Sequence, residues 1–462
     1  MSHETAELTA SLQACLSAIW GKPAVVQGLS RLSGGASRHT WSLDAAPIGE
    51  RPRPFVLRCD PPGRPDPEQM AREARVLTAA AASGVPVPRV IDYGDGHDGG
   101  GAAASQAYIL MDRIEGETVP RRLLRDDRYA AVRPGLPAQF GRILAQIHSI
   151  PTDSVPGLSA EDPLRQLVTI YRAFDEPRPA IELGLQWLAQ HRPPERPATV
   201  VHGDFRNGNL IVGPEGVRAV LDWELVHLGN PIEDLGWLCV KAWRFGNAHP
   251  VGGFGSRQDL LAAYADVSGI RPDDDELHWW EVFGTVRWAV LCRLQAERFF
   301  SGDDRSIEYA VLGRRVCEQE HDILLALRLT ESVPAPDILT DPLDDERDAD
   351  SDRPDADALL EAVHDFLTTQ VAPNSEARQR FLAKVAANAV AIARREIRQA
   401  PAKTQRQKQL SLLGCANDRE LAEALRCGSI DAHDPDVLRA IRTGVTARLA
   451  VANPAYLQQS AS

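Results

Sequence analysis

Apolar and polar residues follow two rhythms along this chain, and the rhythm changes near Pro137. Ahead of that point the apolar residues come in short runs. Phe55-Val56-Leu57, closed by Arg58, and Tyr108-Ile109-Leu110-Met111 have the length and character of strands. The intervening PPGRPDP predicts a loop. Glu68–Ala82, rich in Ala, Arg, Glu and Leu, predicts a helix. From Pro137 the period turns helical: Phe140, Ile143, Leu144 and Ile147 stand at i, i+3, i+4 and i+7. A small strand-rich lobe is therefore expected, followed by a larger helix-rich one. No fixed-period repeat interrupts this order.

The far end reads as all-helical. Leu359, Leu360, Val363, Phe366 and Leu367 share one face, and Phe381, Leu382, Val385, Val390 and Ile392 predict a second helix. Leu421–Leu425 and Val437–Leu449 predict two more. Between the two regions, ESVPAPDILTDPLDDERDADSDRPDAD (331–357) is rich in Asp and Pro and cannot bury a core. The expected organisation is a strand-rich lobe over 1–115, a helical lobe over 116–330, an acidic linker over 331–357 and a helical domain over 358–462.

Composition narrows the class. The chain has 462 residues, 44% of them hydrophobic and 25% charged, which fits a soluble protein of two or three domains. Acids outnumber bases 64 to 51, for a net charge of -13. That excludes a general binder of nucleic acid or of anionic membranes. Nine acids and two arginines fall between Asp341 and Asp357, so about half of the excess sits on the expected linker. The remainder of the chain is nearer neutral and open to an anionic substrate. No secretory leader and no membrane-spanning run is evident. The seven cysteines are scattered and never in C-x-x-C pairs, which points to thiols in a reducing cytoplasm.

The chemistry is concentrated in Val200-Val201-His202-Gly203-Asp204-Phe205-Arg206-Asn207-Gly208-Asn209-Leu210-Ile211-Val212. A turn at Pro214-Glu215-Gly216 and a return strand Ala219-Val220-Leu221 follow, ending in Asp222. This predicts a hairpin with Asp204 and Asn209 on a loop and Asp222 at its end. Phosphoryl transfer needs such a set: a carboxylate to orient or accept a hydroxyl proton, and hard oxygen ligands for magnesium. Asp204 suits the first task; Asn209 and Asp222 suit the second. Ordinary turn formation would explain one such residue, but not His-Gly-Asp, an Asn five residues on, and an Asp on the paired strand.

With that motif the chain resembles the aminoglycoside phosphotransferase and choline kinase-like family, relatives of protein kinases, over roughly residues 20–325. His202, Gly203, Asp204 and Asn209 match the family's catalytic loop, and Asp222 matches its metal-binding aspartate. The resemblance implies an α+β, bilobal protein-kinase-like fold, here with a C-terminal all-α domain, and ATP with Mg2+ held between the lobes. Ser33, Gly34, Gly35, Ala36 and Ser37 are then the loop whose backbone N–H groups cover the phosphates, although a Ser/Gly hairpin turn accounts for them equally well. Glu73 is the expected partner of the phosphate-binding base; without the family it is a helix charge. The family places lysine on the third strand, yet no lysine lies between Lys22 and Lys241. Arg58 stands in its place, a fork where the family has a point charge. Met111, Asp112 and Ile114 resemble the lobe-connecting hinge, with Met111 lining the adenine pocket and the backbone of Asp112 and Ile114 meeting the base. Asp234 either braces the catalytic loop or caps the following helix.

The acceptor is harder to read. Trp223, Trp237, Trp243, Trp279, Trp280 and Trp288, with Arg244, Arg287, Arg293 and Arg298, suit an anionic or partly apolar acceptor, or plain core packing. Leu32–Arg38 and Val56–Gly63 resemble the branch related to the kinase domain of certain acyl-CoA dehydrogenases. That branch implies a 4-hydroxyacyl-CoA as acceptor. The last hundred residues resemble a helical accessory domain that would contact the kinase domain or a second subunit. Arg394, Arg395, Arg398, Lys403, Arg406 and Lys408 would meet the phosphates of a CoA ester, or form a solvated basic run. The expectation is a cytoplasmic kinase acting on a small-molecule hydroxyl. Alternatives are a kinase of aminoglycosides, amino alcohols or sugars, and a nucleotide-binding pseudokinase.

Overall fold

A computed structural model describes residues 3–32, 38–60, 66–95, 106–334 and 356–459, with backbone alone at 3–4 and 400–405. The expected phosphate-covering loop Ser33–Ser37 and most of the acidic stretch lie outside these residues. The contacts group the chain into two units: 1–161 with 195–239 and 249–273, and 162–194 with 240–248 and 274–462.

The first unit opens with a five-stranded antiparallel sheet of order β1 (Ala24–Arg31), β2 (His39–Pro47), β3 (Arg53–Cys59), β5 (Tyr108–Asp112), β4 (Val90–Gly94). The two-residue period of β3 and β5 divides their side chains between two cores. Phe55, Leu57, Cys59, Tyr108 and Leu110 pack with Leu12 and Leu16 of the helix His3–Trp20. Ile109 and Met111 face Met70 and Ala74 of the helix Pro67–Ala82, with Val56 packed against them. Arg58, two residues from Val56, is brought to that second face by the same alternation. Asp66 caps the Pro67–Ala82 helix by accepting from Gln69 N at 3.0 Å, and Pro67 occupies its first turn, where a missing N–H costs nothing.

Past the hinge, the helix Leu136–His148 packs on Arg257–Ser268 along its predicted apolar face. Gly141 permits the close approach, since a Cβ there would overlap the Leu260 carbonyl. Two short ladders follow: β6 (Thr199–Val201) pairs with β9 (His227–Gly229), and β7 (Leu210–Gly213) with β8 (Gly216–Val220).

The second unit is helical. Ala180, Leu183 and Leu324 share one core with Leu410, Leu421, Leu425, Val437, Ile441 and Val445. The C-terminal residues are thus grouped with helices drawn from 162–194 and 274–326, rather than standing as a body of their own. Tyr456 donates to Asp322 at 2.6 Å, and Lys241 pairs with the other Asp322 oxygen at 2.9 Å. Of the expected basic run, Lys408 is exposed and the Lys403 side chain lies outside the described residues, but the four arginines are paired within the unit. Arg394 and Arg398 both pair with Asp357, Arg395 donates to the Val451 carbonyl, and Arg406 bonds Asp418. Asp357, counted with the acidic stretch by sequence, is 4% exposed. A buried carboxylate requires such partners.

Candidate active site

The loop 202–209 is shaped by a glycine and tied down by a carboxylate. Gly203 has φ +79°, and a Cβ there would stand 2.5 Å from the Leu225 carbonyl oxygen. His202 N and Gly203 N donate to the two oxygens of Asp234 at 2.8 and 2.9 Å. His148 Nε2 meets Asp234 at 3.2 Å, and Tyr264 Oη meets the other ring nitrogen of His148 at 2.8 Å. Burial would push the Asp234 carboxyl up. Its bonds to His148 and the His202 backbone outweigh that and hold it below the ordinary carboxylate range. Asp234 therefore braces the loop 202–209. His202 is fully buried, which holds its ring below the ordinary value, and it packs 4.6 Å from Trp223. Its part is structural.

Asp204 is fixed from three sides. Trp237 Nε1 and Arg206 Nε donate to Oδ1 at 2.9 and 3.0 Å, and Asn209 Nδ2 donates to Oδ2 at 2.6 Å. With its amide nitrogen committed there, planarity turns the Asn209 oxygen the other way. Leu221 N donates to the Asn209 carbonyl at 2.8 Å, and this extension of the β7–β8 ladder carries Asp222 beside Asn209. Asp222 has φ +65°, rare outside glycine. Burial pushes its carboxyl up to about 7, the neighbouring Glu224 carboxylate adds to this, and Arg58 opposes it.

Arg58 spans between the sheet and this hairpin. It pairs with Glu73 through one nitrogen and lies 3.9 Å from Asp222 Oδ1 through another. Burial works against its charge, but Glu73, Asp222 and Glu224 hold its pKa above the ordinary value. The structure thus gathers Asp204, Asn209, Asp222, Arg58 and Glu73. Met111 is buried on the sheet face shared with Arg58, while Asp112 N is committed to the Arg89 carbonyl at 3.0 Å. Ile114 follows, half-buried.

Two neighbours, Arg38 and Arg206, escaped the sequence reading, while Trp237, expected near the acceptor, does reach Asp204. Arg38 pairs with Glu73 and with Asp60. Thr40 stands opposite Arg58, so Arg38, two residues away, shares its face. Trp237 lies three residues after Asp234, hence on one side of their helix. Arg206 lies within the motif. The other tryptophans expected near the acceptor serve packing: Trp279 stacks on Phe283, Trp280 meets the same ring edge-on, and Trp243 lies 4.8 Å from Trp288. Arg244 is buried on Glu281, and Arg293 pairs with Glu176.

A family model described as "Phosphotransferase enzyme family" matches residues 28–288, more than half of the chain. The chain belongs to the phosphotransferase enzyme family. It is a kinase of that family, with a kinase-like α+β fold and a helical C-terminal region. Acyl-CoA dehydrogenase family member 10 of Mus musculus is 34% identical over 204 residues, 41% of this chain and 18% of that protein. Acyl-CoA dehydrogenase family member 11 of Homo sapiens is 28% identical over 281 residues, 54% of this chain and 34% of that protein. The similarity therefore spans 18% and 34% of the length of these two relatives. A solved putative aminoglycoside phosphotransferase of Ralstonia eutropha has the same fold, with TM-score 0.52 and 23% identity over 66% of this chain and 93% of its own. Residues 373–456 match a domain of unknown function, DUF6285. Among the described residues no helix is long and apolar enough to cross a membrane.

Proposed function

We propose that this phosphotransferase moves the terminal phosphoryl group of ATP to the hydroxyl of a 4-hydroxyacyl-CoA, with magnesium as cofactor. The observation that carries the reaction is the carboxylate of Asp204, immobilised by Trp237, Arg206 and Asn209 one loop away from Asp222. A base held in one orientation meets the acceptor hydroxyl without reorganising, which lowers the barrier to in-line attack. Asp204 orients that hydroxyl and takes its proton. Arg58 forks onto nucleotide phosphates while Glu73, itself pinned by Arg38, holds it extended.

The donor set fits magnesium. Asn209 and Asp222 offer oxygen atoms, and a cation would relieve the crowding of Asp222 by Glu224. Among the described residues, no group of three or more His, Cys, Asp or Glu side chains could hold a metal ion. That suits an ion that takes its other ligands from phosphate and water. When bound, magnesium neutralises charge on the phosphates and aligns them. The acceptor class rests on the two relatives named acyl-CoA dehydrogenase family members.

The test is incubation of the purified protein with magnesium and ATP against 4-hydroxyacyl-CoAs, sugars, amino alcohols and aminoglycosides, read as phosphate mass gain. Gain on the CoA esters, lost in Asp204→Asn, is expected. Gain confined to aminoglycosides would overturn the acceptor. ATP binding without turnover of any acceptor would overturn the enzyme reading in favour of a regulator.

A further inference from the structure

The second unit contains a cavity of about 380 Å³ that the kinase chemistry does not use. Part of its wall is apolar, from Val316, Leu410, Ala447 and Val451. Against this stands an alternating ladder of charges. Arg178 donates to Glu320 at 3.2 Å, Arg448 donates to Glu320 at 2.9 Å and to Asp418 at 2.8 Å, and Arg406 also bonds Asp418. Three guanidinium groups meet two carboxylates, so the ladder carries one positive charge in excess. The other lining pair, Arg314 with Glu396 at 2.7 Å, is neutral. Glu320 is fully buried and cannot shed its partners to water.

Arg406 is seated by design of the backbone. It donates to the Ala440 carbonyl and lies against Gly444, in the interior of the helix Pro435–Ala452. A Cβ on residue 444 would come within 2.7 Å of Arg406 Nη2. Glycine inside a helix is destabilising relative to alanine, so the space it leaves for a guanidinium is a costly feature. Arg406 Nε is buried with no acceptor among the described residues. An uncompensated cation beside apolar walls selects a singly charged anion on an aliphatic body.

We propose that this cavity binds a medium-length aliphatic carboxylate, its head group on the Arg406–Asp418–Arg448 end of the ladder and its chain along Val316, Leu410 and Val451. Arginine matches the carboxylate fork. The site is walled by Arg178, by the residues around Val316, and by helices of the DUF6285 match, so it depends on their shared core. It is independent of the acceptor assigned above.

The experiment is calorimetric titration of the full chain with octanoate, against octanamide and inorganic phosphate. Saturable octanoate binding is expected, with octanamide at least about tenfold weaker. Arg406→Gln and Gly444→Ala should each weaken octanoate about tenfold or more, and the charge-conserving double change Arg314→Gln/Glu396→Gln should not. Equal binding of octanamide, preference for phosphate, or equal losses in that double variant and in Arg406→Gln would overturn the proposal. Since a ladder variant can fail to fold, the unaltered protein supplies a second reading. Octanoate should raise the urea unfolding midpoint of the unaltered protein, and octanamide should not. A midpoint moved equally by both, or by neither, would count equally against the site.

Discussion

Replacing Asp234 by asparagine probes how the catalytic loop is held. In the native protein two backbone N–H groups, of His202 and Gly203, each face one Asp234 oxygen, and His148 joins at 3.2 Å. Asparagine turns one oxygen into an NH2 group, so one backbone donor must face another donor. A buried donor left unsatisfied costs about 1–3 kcal/mol, and loss of the charge shared with His148 brings the total to about 3–5 kcal/mol. Urea unfolding followed by circular dichroism would show this as a lower midpoint with an unchanged slope. Turnover should fall too, because Gly203 leads directly into Asp204. The pH dependence carries a second signature. Hydrogen bonds hold the Asp234 carboxyl below its ordinary value despite burial. Its stabilising effect is complete above the unfolded value of about 4 and is lost as pH falls through the folded one. The asparagine variant should therefore lose stability less steeply in acid. A loss under about 1 kcal/mol, with full turnover and an unchanged acid limb, would refute the bracing.

The remaining predictions concern three other residues. Asp204→Asn should lower phosphoryl transfer by at least about 100-fold while the affinity for an ATP analogue stays within about twofold, measured by single-turnover kinetics and calorimetry. Arg58→Met should weaken the ATP analogue about tenfold or more, and Arg58→Lys should restore part of it, because Glu73 still has Arg38 as partner. Gly141→Ala should destabilise the fold by about 1–3 kcal/mol in urea unfolding, because its new methyl group meets the Leu260 carbonyl.

Local periodicity made much of the fold legible. The runs at Phe55 and Tyr108 and the helical spacing at Phe140 correspond to β3, β5 and Leu136–His148, because each buries a face its own sequence defines. The loop from His202 to Asp222 was legible because its residues stand close together in the chain. Arg38 and His148 were not, since they reach Glu73 and Asp234 from other elements. The basic run at Arg394 misled for a related reason. Charge on a helix reads as solvated until its partner is known, and the partner, Asp357, looked like part of an acidic spacer. The common core of Leu183, Leu324, Leu421 and Leu425 joins residues more than two hundred positions apart, which no period reveals.

The attachment points on either side of the acidic stretch have a consequence for how such a protein can be encoded. Val333 N donates to the Leu457 carbonyl at 3.0 Å, and Asp357 is clasped by Arg394 and Arg398. Both anchors belong to the same unit, so the stretch between them is a covalent tether within one unit. Such a connection supplies proximity, whose advantage falls only slowly with length, and supplies none of the adhesion. The adhesion lies in the shared core. A gene broken within that stretch would yield two polypeptides with complementary apolar faces, and their reunion would be set by concentration. Fused and two-chain versions of this arrangement are thus neighbours in sequence space, separated by a stop codon rather than by a new interface.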